Sequence, residues 1–223
     1  RVRRQRQMCI RDSFNPTPTE LISLTAFYKL IKNPISRIEV ASAGGYLSYE
    51  NIADKATVAG VEVEVRKNLF VRPLSSAANG MNKLSFGLNG SYIYTNAKMP
   101  LATVTTGSQL EGAAPWIANF DLSHNFTKGT HSFINTLVLN YVSDKIYTIG
   151  TQGYQDIMEQ GMMTLDFVSQ AKLNKYVSLT LKARNLLNPS YKLSRKANES
   201  GEKVVLSDYK KGINISLGVS CTF

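Results

Sequence analysis

The last stretch of the chain, Lys211–Phe223, restricts the possible folds more than any other part of the sequence. Apolar residues occupy every second position from Ile213 to Phe223, and the positions between them are small or polar. Because successive side chains of a β-strand point to opposite faces, this stretch predicts a strand with one apolar and one polar face. Such a strand suits a soluble sandwich, or a transmembrane barrel whose apolar side is covered by lipid.

The same alternation recurs along the chain, between stretches rich in Gly, Pro, Asn and Ser. Turn residues of this kind separate successive strands, so the pattern predicts an all-β fold of antiparallel hairpins. Counting the closing strand, eight strands are predicted: Glu20–Ile31, Thr57–Val71, Lys83–Asn96, Pro115–Thr127, His131–Tyr147, Met162–Leu173, Tyr176–Lys196 and Lys203–Phe223.

The stretch near Thr57–Val71 favours a membrane barrel over a soluble sandwich. Val61, Val63 and Val65 share one face. Four successive positions of the other face are charged or amide residues, namely Glu62, Glu64, Arg66 and Asn68. A dry protein core would not tolerate such a row, whereas a water-filled barrel lumen would. Residues of this kind either line a substrate path or bond to the barrel wall. The candidates for lining the lumen are Glu62, Glu64, Arg66, Asn89, Asp121, Asn125, Asp166 and Lys172.

The connections between the predicted strands alternate in length. Those at 33–56, 98–113 and 148–161 are long, those at 128–130 and 174–175 are short, and 72–82 is intermediate. Bacterial outer-membrane barrels place long loops outside and short turns in the periplasm. Aromatic residues near strand ends are typical of an interfacial girdle: Tyr92, Tyr94, Trp116, Phe126, Tyr141, Tyr147, Tyr176 and Phe223.

Charge and cysteine content argue against two other classes of protein. The net charge is +10, but residues 1–13 contain five arginines and one aspartate, and the remaining charge is scattered, so no nucleic-acid partner is predicted. Cys9 and Cys221 leave one disulfide possible, and the chain has no cysteine or histidine pattern typical of a metal site. No run of about 18 apolar residues exists that would form a transmembrane helix.

The first thirteen residues lack the alternation that follows them, and they resemble translated adaptor sequence. We therefore predict that residues 1–13 are a non-native segment and exclude them from fold reasoning. Residues 14–223 are then expected to be part of a longer protein.

Three neighbouring residues, Asp121, Ser123 and His124, suggest a hydrolase. Alternation places Asp121 and Ser123 on the lumen face and His124 on the opposite face, so the three cannot form a catalytic triad locally. A phospholipase using an outward His124 is the enzymatic alternative. The other histidine, His131, begins a strand beside a turn and has no evident carboxylate partner. No catalytic residue, cofactor site or metal site is predicted.

Four motifs, in order towards the C-terminus, carry a resemblance to a known family. They are ATVAGVEVEV (56–65), EGAAPWIANF (111–120), ARNLLNP (183–189) and GINISLGVSCTF (212–223). With these motifs, residues 14–223 resemble the C-terminal part of the β-barrel of a TonB-dependent outer-membrane receptor, of the type common in Bacteroidota.

The resemblance implies a barrel of about 22 strands, of which these would be the last eight. It also implies a plug domain and a TonB box upstream, location in the outer membrane of a Gram-negative bacterium, and active uptake of a scarce nutrient such as an iron chelate, a vitamin or a glycan. TonB would act through the missing N-terminal part, and the barrel-assembly machinery would recognise the last strand and its terminal Phe223. The alternative is a self-contained eight-stranded outer-membrane barrel that serves as an adhesin or structural anchor.

Overall fold

The computed structural model describes residues 5–40, 45–51, 53–74, 80–98, 109–151, 153–197 and 201–222. All regular secondary structure in these ranges consists of β-strands, so the all-β prediction is confirmed. The strands are β1 (Gln5–Phe14), β2 (Leu21–Lys32), β3 (Ile35–Glu39), β4 (Leu47–Asn51), β5 (Lys55–Leu74), β6 (Gly80–Lys98), β7 (Trp116–Lys128), β8 (His131–Val142), β9 (Lys145–Thr148), β10 (Ile157–Glu159), β11 (Met162–Lys172), β12 (Val177–Arg184), β13 (Ser190–Lys196), β14 (Lys203–Lys210) and β15 (Asn214–Cys221).

One nine-stranded antiparallel sheet, in the order β1-β2-β5-β6-β7-β8-β11-β12-β15, forms the body of the molecule. Each strand of this sheet pairs with the strand of the sheet that follows it in the sequence, as the sequence predicts. In the part of the chain that the structure describes, β1 and β15 do not pair with each other, so the sheet is open. It therefore has the form of a section of barrel wall with two free edges.

The opening segment adds a ninth strand to the eight that were predicted. Gln5–Phe14 pairs with β2 over ten registered residues, from Gln5 opposite Ile31 to Phe14 opposite Ile22. Our exclusion of residues 1–13 from the fold therefore missed a strand, because the free edge of β2 offers backbone partners even to a segment of irregular pattern. The origin of residues 1–13 is a separate matter and stays a prediction.

A smaller sheet, β14-β13-β10-β9, continues four strands of the main sheet beyond a common bend. We call this end, which carries the long connections, the rim. The sequence predicted single strands over His131–Tyr147, Tyr176–Lys196 and Lys203–Phe223, and the structure divides each of them near the same level. It also places strands β3, β4 and β10 within stretches that were predicted to be loops.

The bend between β12 and β13 is fixed by the two asparagines of the ARNLLNP motif. Asn185 and Asn188 have positive φ angles of 59° and 44°, which few residues other than Gly and Asn adopt readily. The Asn185 Nδ2 donates to the Gly212 carbonyl at 2.7 Å, and the Gly212 N–H donates to the Asn188 Oδ1 at 3.0 Å. Gly212 itself has φ of 83°. The motif therefore holds the bends of two neighbouring strands together.

The two faces of the main sheet differ as the alternation predicts. On β5, Val61 and Val63 are 45% and 42% exposed, and no rim connection covers them in the described part of the chain. On β15, Ile215, Leu217 and Val219 are more than 60% exposed. A soluble protein rarely exposes so much contiguous apolar surface. We call this the apolar face, and the opposite one the polar face.

A close approach on the polar face makes Gly60 a test of the register. A Cβ atom at Gly60 would lie 2.5 Å from the Phe27 ring and 2.6 Å from the Tyr92 carbonyl oxygen. We expect Gly60→Ala to lower the free energy of unfolding by about 1–3 kcal/mol, because the ring or the backbone must move. The matched control is Gly90→Ala, since a Cβ there meets nothing within 4 Å. Urea denaturation of the detergent-solubilised full-length protein measures both, and equal stability of the two variants would contradict the register.

Candidate functional site

A continuous row of polar residues crosses the polar face. The row runs across seven neighbouring strands, from β1 to β11, and each of its residues is the Cα partner of the next. None of these residues is apolar. Ser23 in this row is buried, and two pairs of residues further along the row are joined by side-chain hydrogen bonds. The Asn119 Nδ2 donates to the Asn89 Oδ1 at 3.4 Å, and the Asn140 Nδ2 donates to the Thr164 Oγ1 at 3.4 Å. The row consists of Ser13, Ser23, Glu64, Asn89, Asn119, Asn140 and Thr164.

Of the lumen candidates, Glu64 and Arg66 are brought together. The Arg66 Nε lies 2.9 Å from the Glu64 Oε1, and the Arg11 Nη2 lies 3.5 Å from the Glu64 Oε2. Glu62 lies one step towards the rim on the same face, with Thr25 and Ser91 as its Cα partners. Glu64 is thus paired with two arginines, Arg11 and Arg66, at one side of the sheet.

Asn89 and Asp121 lie beside this group on the polar face. Asp121 packs over Gly87, and its carboxylate occupies the place that a Cβ of residue 87 would take. Gly87 is in turn the Cα partner of Arg66. The absence of a side chain at Gly87 therefore makes room for the Asp121 carboxylate on the polar face.

The remaining lumen candidates are dispersed. Asn125 lies between Lys83 and Ile134, and its Oδ1 is buried without a hydrogen-bond partner among the described residues. Asp166 accepts a hydrogen bond of 2.8 Å from the Asn185 N–H, so it supports the bend. Lys172 lies at the end opposite the rim, with Ser132 and Ser178 as its Cα partners.

The residues considered for catalysis lie on two faces. The Ser123 Oγ lies 3.1 Å from the Thr136 Oγ1 on the polar face, whereas the His124 Nε2 lies 2.8 Å from the Asn82 Oδ1 on the apolar face. This is the separation that the alternation predicts for Ser123 and His124. Within the described ranges, no three residues among histidines, cysteines and acids are grouped so that they could hold a metal ion. Cys9 and Cys221 are free and exposed, and Phe223 lies outside the described residues.

At the rim, the connection before β7 covers the end of the polar face. Leu110 and Ile31 both pack against a cluster that includes Ala56 and Ala97, each 1% exposed. The Leu110 N–H donates to the Thr95 Oγ1 at 3.1 Å, and Thr95 is buried. The polar face is therefore open along its length but capped by a small apolar cluster at this corner.

Strands from distant hairpins meet in what we call the rim cluster, formed by Arg37, Ile38, Glu39, Glu111, Tyr147, Ile149 and Arg195. The end of β3 runs parallel to the chain after β9. The Glu39 N–H donates to the Ile149 carbonyl at 3.2 Å, and the Ile149 N–H donates to the Arg37 carbonyl at 3.0 Å. Ile38 and Ile149 are 5% and 1% exposed and pack with Ile146. These three isoleucines form the apolar core of the rim cluster.

Two ion pairs hold the rim cluster. Glu111 accepts from the Arg37 N–H at 2.5 Å and from its guanidinium at 3.2 and 3.3 Å, and this guanidinium lies 4.0 Å above the Tyr147 ring. The second pair joins the Arg195 Nη2 to the Glu39 carboxylate, and both side chains are less than one-fifth exposed. Two residues separated by 156 positions in sequence are thus joined across the rim.

The two arginines have different electrostatic surroundings. Burial alone would lower the pKa of Arg37, but the hydrogen bond that it donates to Glu111 and the proximity of Tyr147 raise the pKa overall. Burial lowers the pKa of Arg195, whose Nε has no hydrogen-bond partner among the described residues. Arg195 consequently has one buried donor that no acceptor satisfies among the described residues.

A cavity of about 420 Å³ opens beside Arg195. The Asp156 Oδ1 in its wall accepts from the Gly150 N–H at 2.8 Å, which fixes the turn before β10. The wall offers both acidic and basic groups, so the cavity is suited to a polar ligand. It is lined by Asp144, Gln155, Asp156, Met158, Ser194, Arg195, Lys196 and Lys203.

A second polar group at the rim surrounds Tyr191. The Tyr191 hydroxyl donates to the Glu159 Oε2 at 3.3 Å. Glu159 also forms an ion pair with Lys145, whose Nζ lies 3.1 Å from the Glu159 Oε1. Tyr209 stacks on Tyr191 with ring centroids 5.0 Å apart. Burial, followed by the charge of Glu159, raises the pKa of Tyr191 to about 12.

This raised pKa predicts loss of rim stability in alkali. An unfolded tyrosine ionises near pH 10, whereas folded Tyr191 stays protonated, so its contribution is complete below about pH 10 and declines as the pH rises towards about 12. We expect thermal melting of the full-length protein to shift less between these pH values in Tyr191→Phe than in the wild type. Equal shifts in the two proteins, with tyrosinate absorbance recorded in parallel, would contradict the assignment.

The rim cluster and its cavity were not predicted from the sequence. Glu111 lies in one of the motifs that carry the resemblance, but neither its pattern nor that of Arg37, Glu39 or Arg195 indicates a partner. The unusual length of the connections was a signal for Arg37, Glu39 and Glu111, whereas Arg195 lies in a predicted strand and had none.

Comparison with known proteins gives one match. The sequence model described as TonB dependent receptor-like, beta-barrel matches residues 10–186, which is more than half of the chain. No curated protein and no solved structure matches the chain. None of the described residues forms a helix that is long and apolar enough to cross a membrane.

Proposed function

The chain belongs to the TonB-dependent receptor-like β-barrel family, and from this premise we propose that it forms part of the wall of a Bacteroidota-type receptor that imports a scarce nutrient. The family acts in transport across the outer membrane, and its members interact with TonB and with outer-membrane lipid. The observation that carries the proposal is the open, nine-stranded antiparallel sheet with one exposed apolar face and one continuous polar face. Lipid would cover the first face, and the second would line a water-filled passage.

The free edges support a barrel that is completed by further strands. An eight-stranded adhesin or anchor would close on itself, with its first strand paired to its last. In the described structure β1 and β15 instead form opposite edges of the main sheet. We propose that additional strands, together with a plug domain and a TonB box, belong to the whole protein. Residues 14–223 would then be the C-terminal part of the barrel.

The polar residues of the main sheet are proposed to line the transport path. The row from Ser13 to Thr164 supplies uncharged donors and acceptors, and Glu64 with Arg66 supplies a pair of opposite charges. Such a surface can exchange weak hydrogen bonds with a moving solute or with a plug without holding either tightly. The proposed lining residues are Glu62, Glu64, Arg66, Asn89, Asp121, Asn125, Asp166 and Lys172.

Capture of the ligand is proposed to occur at the rim, which faces the medium if the long connections lie outside. The cavity has three cationic side chains in its wall, namely Arg195, Lys196 and Lys203. This favours a ligand with carboxylate, hydroxamate or hydroxyl oxygens, as iron chelates and glycans have. Uptake would draw on the inner-membrane proton gradient through TonB.

An uptake experiment tests the proposal. A deletion strain is complemented with the full-length gene and grown on iron chelates, cobalamin or glycans as the limiting nutrient. We expect one nutrient to require both the gene and the proton gradient, and Lys203→Gln to reduce its uptake more than the control Lys175→Gln at the opposite end. Growth that is independent of the gene on every nutrient, with adhesion lost instead, would favour the anchor alternative.

A further inference from the structure

The apolar face contains a groove over strands β5 to β8. Its floor is formed by Gly90 and Ala118, which are Cα partners in one row, and Val63 and Tyr141 continue that row on either side. The volume is about 510 Å³. No atom lies within 4 Å of the position that a Cβ of Gly90 would occupy. The two smallest side chains of the row therefore leave a channel between two large ones.

Aromatic rings border the groove towards the rim. Tyr92 and Trp116 are Cα partners one row above Gly90 and Ala118, and their ring centroids are 4.6 Å apart. Both rings are exposed on the apolar face. The two rings therefore border the groove on the side of the rim.

Lysines lie beyond these aromatic rings at the rim end of the same strands. Lys32 and Lys55 are Cα partners on β2 and β5, and Lys98 is the Cα partner of Lys55. Lys32 and Lys55 are both exposed, and neither forms an ion pair with an acid among the described residues. Like charges directly opposite each other on neighbouring strands are destabilising. A bound anion would relieve this repulsion.

The spacing between the lysines and the groove matches the depth of one lipid leaflet. Lys55 and Val61 are six residues apart, which is about 20 Å along a strand. For a strand tilted by about 40°, this is about 15 Å of depth, or half of the hydrocarbon core of about 30 Å. A lipid whose phosphate lies near Lys32 and Lys55 could therefore extend a chain to Val61 and over Gly90.

We propose that this part of the apolar face binds one phosphate-bearing lipid of the outer leaflet, with its phosphate on Lys32 and Lys55 and one acyl chain in the groove over Gly90 and Ala118. The proposal rests on the outward placement of the long connections that the proposed function also uses. It adds a binding site for a particular lipid to the general contact with the membrane. The occupant is defined by the continuity of the groove with the lipid-covered face and by the charge of the lysines.

Native mass spectrometry of the full-length protein in detergent tests the site with three probes. Phosphatidic acid carries the phosphate and the chains, diacylglycerol carries the same chains alone, and inorganic phosphate lacks the chains. We expect retention of phosphatidic acid only. Each lysine near an anionic lipid contributes about 1 kcal/mol, so Lys32→Gln with Lys55→Gln should weaken retention ~25-fold. Gly90→Leu should weaken it ~10-fold by filling the groove.

Matched controls separate this site from general effects. Lys128→Gln with Lys175→Gln removes the same charge at the opposite end of the sheet, and Ala26→Leu adds the same apolar bulk on the apolar face outside the groove. We expect both controls to retain phosphatidic acid within about twofold of the wild type, with the full-length protein folded in every case. Unchanged retention in either the lysine or the Gly90 variant would overturn the proposal, whatever nutrient uptake shows. Reduced retention with unchanged uptake would support it.

Discussion

Residues 14–223, expressed alone, are expected to aggregate instead of refolding in detergent as a monomer. The sheet has two edges, and the exposed strand β15 at one of them carries unpaired backbone groups beside an apolar face. In an apolar medium each unpaired backbone group costs several kcal/mol, so an open sheet has no stable monomeric form there. Size-exclusion chromatography and gel migration with and without heating measure the outcome.

The control for this experiment is the full-length protein, refolded in the same detergent. It should give a monomer whose gel migration changes on heating, as a closed barrel does. If residues 14–223 gave such a heat-modifiable monomer, the proposal that they are part of a larger barrel would be wrong, and the self-contained barrel would be favoured.

Glu111→Gln is expected to detach the β3–β4 hairpin from the rim. Arg37 would keep a largely buried charge without its carboxylate partner, which costs about 3–5 kcal/mol for a fully buried pair. The side chains of Arg37 and Glu111 are 22% and 16% exposed, so we expect about 2–3 kcal/mol here. Protease cleavage of the segment 33–54, in outer-membrane vesicles containing the full-length protein, should increase by one to two orders of magnitude.

Two further variants make this prediction specific. Adding Arg37→Met to Glu111→Gln removes the unpaired charge and should restore part of the protection. Asp208→Asn breaks the Lys192–Asp208 pair, whose side chains are 38% and 42% exposed, and should change cleavage little. Equal cleavage in the Glu111 and Asp208 variants would show that the Arg37–Glu111 pair does not hold the hairpin.

The strands of the barrel wall could be predicted from the sequence because their side chains alternate between an apolar and a polar environment. Each residue of β5 meets either the apolar or the polar side, and the alternation of Val61, Glu62, Val63 and Glu64 reports this directly. The turn at Lys128–Thr130 and the Asx-type turn at Asn174 also have local signals. In the second turn, the Asn174 Oδ1 accepts from the N–H groups of Tyr176 and Val177, each at 2.8 Å.

The rim could not be predicted, because its contacts are not periodic. The bend at Asn185 depends on a left-handed backbone conformation and on a hydrogen bond to Gly212, which lies between β14 and β15. The pair between Glu39 and Arg195 joins residues that share no local pattern. Short strands such as β10 lack the length over which alternation can be recognised.

The assignment of the two faces is tested most directly by labelling single cysteines along β5 in the full-length protein in outer-membrane vesicles. Cys9 and Cys221 are first replaced by Ser, and cysteine is then placed in turn at Val61, Glu62, Val63 and Glu64. We predict that a membrane-impermeant, water-soluble thiol reagent modifies positions 62 and 64 but not 61 and 63, and that a lipid-soluble reagent gives the reverse. Equal labelling of all four positions by the water-soluble reagent would contradict a lipid-covered face opposite a water-filled lumen.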